Sequence, residues 1–399
     1  MSNPFGDMVD TIFADKEMLT ESYQPETILE RDEEIEEYRY ALQDVLFDRE
    51  PENVMLYGKA GLGKTAVTKY ILDALQDEVE TREEADDLHV HDLNCNGKTV
   101  FMVVRQLVNT LLPEGASDFP KRGLGTGDAF EELYSQLDRI GGTHLMVFDE
   151  IDHLDDADTL LYELPRARSN KHIVDAQVGI IGISNNYTFR TTLSPKVKDT
   201  LMETEISFSP YNAVELRAIL QDRAEQAFAE DACDQSAIGR AAALAAQDMG
   251  NARQAIDLLR VGGEVALREE ADCVTDDHIG RARERVQRGR LKNRIRDQTI
   301  HGQYILETIA YLEEKGKTPA RSKEIYDVYQ DVAAACGADP LTTLKSIQDH
   351  LSDLHMLGFL QRFERNQGLS GGQYYEYELD LDPEIVIETR KTIEETGDL

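Results

Sequence analysis

Cysteine is scarce in this 399-residue chain, and its four cysteines, Cys95, Cys233, Cys273 and Cys336, lie far apart with no paired spacing. Neither a zinc site nor a disulfide framework is indicated. Long apolar runs are missing too: stretches such as Val178 to Ile183 suit a buried strand and fall short of a membrane span. The first residues, MSNPFGDMVD, lack the basic-then-apolar order of a signal peptide, so a cytoplasmic location without a membrane partner is expected. Lysine is the third shortage. Only 15 of the 42 basic residues are lysines, against 77 Asp and Glu, and the formal net charge is −35. The acids run along the whole chain and do not gather in a tail. A hydrophobic content of 41% is enough for sizeable cores, which excludes wholesale disorder.

What is present begins with residues 58 to 65, GKAGLGKT, and an apolar run, Leu145-Met146-Val147-Phe148, that ends in Asp149-Glu150. Gly58, Gly61 and Gly63 let backbone amides face phosphate oxygens where a Cβ would crowd them. The loop as a whole, with Lys59, Ala60, Leu62 and Ala66, is expected to cradle ATP or ADP. Lys64 supplies a point charge to the β- and γ-phosphates, and the Thr65 hydroxyl is a natural Mg²⁺ ligand. Asp149 would hold the same ion through water, and Glu150 is placed to orient or deprotonate the attacking water. The context agrees: Asn53 to Tyr57 reads as a short strand, and a helical pattern starts at Lys64, so its N-terminus faces the phosphates.

Along the chain, residues 1–20 show little periodicity and are expected to form a mobile arm. Residues 21–210 alternate strands with helices, which implies an α/β parallel sheet covered on both faces, with Gly58, Asp149 and Ser184 at the carboxyl ends of strands. The helix after the phosphate loop is expected to stop at Leu75, before an acidic connector from Gln76 to Asp87. Pro113 to Asp128 is a glycine-rich insertion containing Lys121 and Arg122. Residues 211–290 are entirely helical, opening on an Asn212–Glu215 capping box. Arginines crowd the stretch Arg281 to Arg296, which either tracks a nucleic-acid backbone or balances neighbouring acids. Residues 291–399 show three helices and a terminal hairpin around the loop Arg365 to Gly372, the pattern of a winged helix. Its last helix is expected to start at Asp339-Pro340.

With these units placed, the chain resembles the archaeal replication initiators of the origin-recognition and cell-division-control type, AAA+ ATPases with a C-terminal winged helix. The marks are YQPE with Arg31 ahead of the phosphate loop, VFDEIDHL, GISNN and GNARQAIDLLR. The resemblance implies that Asn185 senses the γ-phosphate and the attacking water, and that Arg253 reports hydrolysis as a lid movement. It implies an adenine pocket lined by Tyr23, Pro25 and Arg31, with Tyr211 and Arg223 where the lid closes. It implies DNA contacts by Lys121 and Arg122, by Thr343, Lys345 and Gln348 on the recognition helix, and by Arg362 and Arg365 on the wing. The expected function is an ATP-switched initiator, slow as an ATPase, that recognises double-stranded origin DNA at the nucleoid and helps load the replicative MCM helicase. It would be a monomer able to assemble on DNA. Where the family motif LSPRV carries an arginine able to act in trans, this chain has Lys196. A clamp-loader-like remodelling ATPase and a regulatory paralogue that binds DNA without firing origins are the alternatives. The surface, rich in carboxylates and poor in lysine, resembles those of proteins from cells with molar internal salt. There the Debye length is about 3 Å and self-repulsion is screened.

Overall fold

The computed structural model describes residues 10–82, 85–366 and 373–396, in two compact units, Met1–Ala282 and Arg283–Leu399. The first unit is built on β1 (Val54–Tyr57), β2 (Leu88–Asn94), β3 (Gly142–Asp149), β4 (Ala176–Ser184) and β5 (Thr204–Ser207), paired in the order β2-β3-β4-β1-β5. All four ladders are parallel. The register sets Asn94 beside Asp149 and Tyr57 beside both Ser184 and Ser207, so the carboxyl ends of the strands share one edge. Helix α1 (Asp32–Leu42) precedes β1, and the crossovers hold α2 (Lys64–Thr81), α3 (Val100–Leu111), α4 (Thr126–Ile140), α5 (Ala157–Glu163), α6 (Phe189–Thr192) and α7 (Pro195–Leu201). One large core cluster joins Met146, Phe148 and Ile180 of the sheet to Val103, Leu107, Leu133 and Leu137 of α3 and α4.

Two expectations need correction here. Helix α2 passes Leu75 and continues to Thr81, because Val79 still buries its side chain. Residues 10–19 also do not form a mobile arm. Ile12, Phe13 and Leu19 are buried, and the Ala14 amide donates to the Ala227 carbonyl at 2.9 Å. Phe13 stacks on Phe228 with ring centroids 5.2 Å apart. The stretch is too short for periodicity, yet three apolar side chains pin it to the lid. The rest of the expected arm, residues 1–9, lies outside the described residues.

The lid consists of α8 (Ala213–Ala227), α9 (Gln235–Asp248) and α10 (Ala252–Arg268), followed by α11 (Asp276–Arg296). The Asn212–Glu215 capping box forms in both directions, which fixes where the chain turns from sheet to lid.

The second unit contains α12 (Ile300–Glu314), β6 (Ala320–Arg321), α13 (Ser322–Ala335), α14 (Leu344–Met356), β7 (Leu360–Asn366), β8 (Gln373–Leu379) and α15 (Pro383–Thr396). Three strands make an antiparallel sheet in the order β6-β8-β7. Helix α14 starts after Thr343, not at Asp339-Pro340, because Thr343 Oγ1 accepts the Ser346 amide at 3.1 Å and caps it. Helix α15 was not foreseen. Its buried Arg390 donates to Glu307 at 3.1 Å and Gln303 at 2.9 Å, which fastens it to α12. The expected wing loop falls largely on residues 367–372, outside the described residues.

Candidate nucleotide site and nucleic-acid interface

The turn between β1 and α2 is shaped by glycines that the surroundings leave no room to replace. A Cβ at Gly61 would sit 2.1 Å from Asn251 Oδ1, and Gly61 and Gly63 have φ of +79° and +92°. Lys64, only 5% exposed, donates to the carbonyls of Gly58 at 2.5 Å and Lys59 at 3.0 Å and to Asn185 Oδ1 at 2.9 Å. Burial pushes its ammonium down to about 8, against the raising effect of Asp149 and Asp152. Thr65 Oγ1 donates to Asp149 Oδ2 at 2.9 Å. A hydroxyl and a carboxylate this close are hard oxygen donors that suit Mg²⁺. Burial raises the Asp149 carboxyl above its ordinary range, opposed by the hydrogen bonds from Thr65 and the Glu150 amide. Glu150 has φ 56°, a left-handed conformation seldom taken by a non-glycine residue, and Asn94 Nδ2 donates to its Oε2 at 3.3 Å.

These residues open into a cavity of about 850 Å³ between sheet edge and lid. Its lining includes Ala60, Gly61, Gly63, Lys64, Thr65, Ala66, Asp149, Glu150, Asn185 and Arg253, together with Tyr23, Pro25, Tyr211 and Arg223. Gly58, Lys59 and Leu62 complete the loop but are not part of that lining. Arg31 departs from expectation. It is buried at 5% exposure, donates to the Leu62 carbonyl at 3.1 Å and the Ser209 carbonyl at 2.8 Å, and lies 3.7 Å from the Tyr211 ring centroid. It braces the phosphate loop and is not among the residues that line the cavity. Arg223 lies 4.3 Å from the Tyr23 ring centroid and donates to the Met18 carbonyl at 3.3 Å, so it holds the N-terminal segment against the lid. Arg253 pairs with Glu21 at 3.2 Å.

Three residues of this site were missed by sequence reasoning. Asn251 Nδ2 donates to the Ala60 carbonyl at 2.9 Å and ties the lid to the loop. Asp152 Oδ1 accepts the Asn185 amide at 3.2 Å, and Asn94 supports Glu150. Asn251 had a signal in its place within GNAR, and Asp152 in its place within VFDEIDHL, whereas Asn94 had none.

On the nucleic-acid side, Lys121 and Arg122 are exposed in the stretch before α4. Lys345 and Gln348 are exposed on α14, with Lys345 3.4 Å from Asp349. Thr343 is occupied as the helix cap, which limits its hydroxyl as a base reader. Arg362 and Arg365 are exposed on β7, Arg362 4.5 Å from the Tyr375 ring centroid and Arg365 2.9 Å from Glu376. The arginine stretch is largely engaged with its own surroundings. Arg281 pairs with Glu269, Arg288 and Lys292 pair with Glu388 at 2.8 and 3.0 Å, and Arg294 donates to the Leu357 carbonyl. Among the described residues no helix is long and apolar enough to cross a membrane.

A parallel sheet with a phosphate loop, an acidic strand end, a helical lid and a winged helix defines an AAA+ nucleotide-binding protein. Family models agree: an AAA ATPase domain matches residues 27–174, a Cdc6 AAA+ ATPase-type lid domain 217–284, and a CDC6 C-terminal winged helix domain 293–389. ORC1-type DNA replication protein 8 of Halobacterium salinarum is 49% identical over 97% of this chain and 98% of its own length. The chain belongs to the ORC1-type DNA replication protein family. The ORC1-type protein of Thermococcus onnurineus is 36% identical over 90% of this chain and 86% of its own length. Among solved structures, the Aeropyrum pernix ORC1 protein in complex with DNA matches with a TM-score of 0.81 at 32% identity, covering 96% of this chain and 98% of that one.

Proposed function

We propose that the chain is an ATP-regulated replication initiator that recognises duplex origin DNA and helps load the replicative MCM helicase. The observation that carries this reading is the convergence of Lys64, Thr65, Asp149, Glu150, Asn185 and Arg253 on one cavity, in a chain whose relatives are named ORC1-type DNA replication proteins. In this account Lys64 holds the β- and γ-phosphates, and Asn185 and Glu150 position the attacking water. Arg253 leaves Glu21 for the γ-phosphate and carries its presence into the lid. Tyr23, Pro25, Tyr211 and Arg223 receive the adenosine end. Mg²⁺ on Thr65 and Asp149 would neutralise phosphate charge.

ATP serves as a conformational switch, with slow hydrolysis resetting it. Lys196 lies 3.3 Å from the Tyr162 ring centroid and lacks the guanidinium fork that acts on phosphate in trans. The insertion, α14 and the wing hold DNA, on which monomers assemble. The test is a genome-wide occupancy map of the tagged protein, wild type and Glu150→Gln, expected to peak where replication starts. A second reading has an observation of its own: one organism, Halobacterium salinarum, carries more than one ORC1-type protein, numbered 8 and 10. Occupancy confined to sites away from replication starts would make this chain a regulatory paralogue.

A further inference from the structure

The wing sheet brings together charges that lie far apart in sequence. Pairing of β6 with β8 sets Arg321 opposite Glu376, and pairing of β7 with β8 sets Arg365 opposite Tyr374. Because side chains alternate along a strand, Arg321, Arg365, Tyr374 and Glu376 share one face, while Arg362 and the buried Tyr377 share the other. Glu376 is the least exposed of the three charged groups, at 17% against 45% for Arg321 and 51% for Arg365. Each carboxylate oxygen takes one guanidinium: Arg365 Nε donates to Oε2 at 2.9 Å, and Arg321 Nε faces Oε1 at 3.8 Å. Arg321 also donates to the Tyr374 hydroxyl at 2.7 Å, its guanidinium 3.9 Å from that ring centroid.

We propose that Arg321 and Arg365 form a clamp for one backbone phosphate of duplex DNA, with Glu376 as its resident counter-ion. This rests on the DNA-binding reading of the second unit and adds to it a contact residue, Arg321, and a carboxylate that holds affinity down. Within the cluster two guanidiniums meet one carboxylate, while Glu378, farther along the same face, brings the formal charge of that face to zero in a protein whose overall charge is −35. Guanidinium groups match phosphate oxygens in planar, paired geometry. With Nε turned to Glu376 and the guanidinium 5.9 Å from the Phe363 ring centroid, the terminal nitrogens of Arg365 have no hydrogen-bond acceptor among the described residues and are available to an anion. In the free protein Glu376 keeps the two arginines together. Once a phosphate arrives, it supplies the same negative charge, and what remains of the carboxylate is its repulsion.

The experiment is an anisotropy titration of a labelled duplex carrying the bound sequence, and of a scrambled duplex, into the full-length protein. It is run at tenths molar and at molar potassium chloride, with thermal melts in parallel. Arg321→Ala is expected to weaken both duplexes by roughly five- to tenfold, as loss of a phosphate contact does. Arg321→Lys, which keeps the charge and loses the fork, should fall between the two. Glu376→Gln should tighten both duplexes about threefold and keep that gain at molar salt, where charges farther than about 3 Å are screened. Glu378→Gln, on the same face opposite Gln361, should lose any gain at molar salt. Wild-type affinity in Arg321→Ala, or weaker binding in Glu376→Gln, would overturn the clamp alone. If the wild-type chain bound no duplex at all, the DNA reading would fall and the clamp with it.

Discussion

The phosphate loop and the wing use cations in opposite ways. Lys64 is buried, held by two carbonyls and an amide oxygen, and can serve only a ligand that enters its cavity. Arg362 and Arg365 stand on an exposed strand, lying against an aromatic ring and a carboxylate they can exchange for something larger. A small polyphosphate rewards a pre-arranged site; a long polyanion rewards reach. The same overall negative charge bears on both. Around Lys64 it is local, in Asp149, Asp152 and Glu150, whereas a wing that holds DNA, as proposed, would do so against the field of the whole surface.

The largest effect is expected at the loop. Lys64→Ala should lower ATP affinity on the order of 100-fold while the fold persists, since a charge-assisted contact to phosphate is lost. Glu150→Gln should keep ATP bound and slow its hydrolysis by about 100-fold or more. Calorimetry and single-turnover assays would check both, and unaltered turnover in Glu150→Gln would remove it from the chemistry.

Next comes the contrast between a buried and an exposed arginine. Arg31→Ala should cost about 2–3 kcal/mol of stability, because the Leu62 and Ser209 carbonyls lose their donor, and should weaken ATP and ADP alike. Arg362→Ala should change stability by under about 0.5 kcal/mol. Equal melting shifts for the two would refute the brace.

On the recognition helix, Thr343→Ala should destabilise the second unit by about 1 kcal/mol through loss of its cap. Gln348→Ala should leave stability alone and alter which DNA sequences are preferred.

A separate effect belongs to pH. Burial lowers His91 to about 4 and His144 to about 3, and the two rings meet at 3.0 Å beside His89. Between the ordinary value of 6.5 and about 4 the unfolded chain therefore holds more protons than the folded one. Stability is full well above pH 6.5 and declines as pH falls, by on the order of 2 kcal/mol for each ring at pH 5. Melts of wild type and His91→Gln from pH 7 to 5 should show a flatter profile in the variant.

The nucleotide half was legible because its chemistry is local. GKAGLGKT and the acidic strand end each fit within a few residues, and the strand–loop–helix context places them. Arg31 was grouped with Tyr23 and Pro25 because they are neighbours in sequence, while its contacts, Leu62 and Ser209, are set by the tertiary fold. Residues 10–19 gave no periodic signal, yet Phe13 finds its partner in Phe228. Glu376 and Arg321 meet only through the pairing of β6 with β8, and a two-residue strand leaves no pattern to detect. Helix α15 went unread although Ile385, Val386 and Ile393 bury one face of it.

On the proposed reading, a chain of charge −35 holds DNA through a few local arginines against a repelling surface. Titrating one specific duplex from tenths molar to several molar potassium chloride, with folding monitored in parallel, tests it most directly. An ordinary binder making 6–10 phosphate contacts loses about 10³- to 10⁵-fold in affinity between 50 and 200 mM salt. A shallow or rising dependence into the molar range is expected, because screening removes the long-range repulsion before it reaches contacts shorter than about 3 Å. A steep, monotonic loss of affinity while the protein stays folded would contradict it.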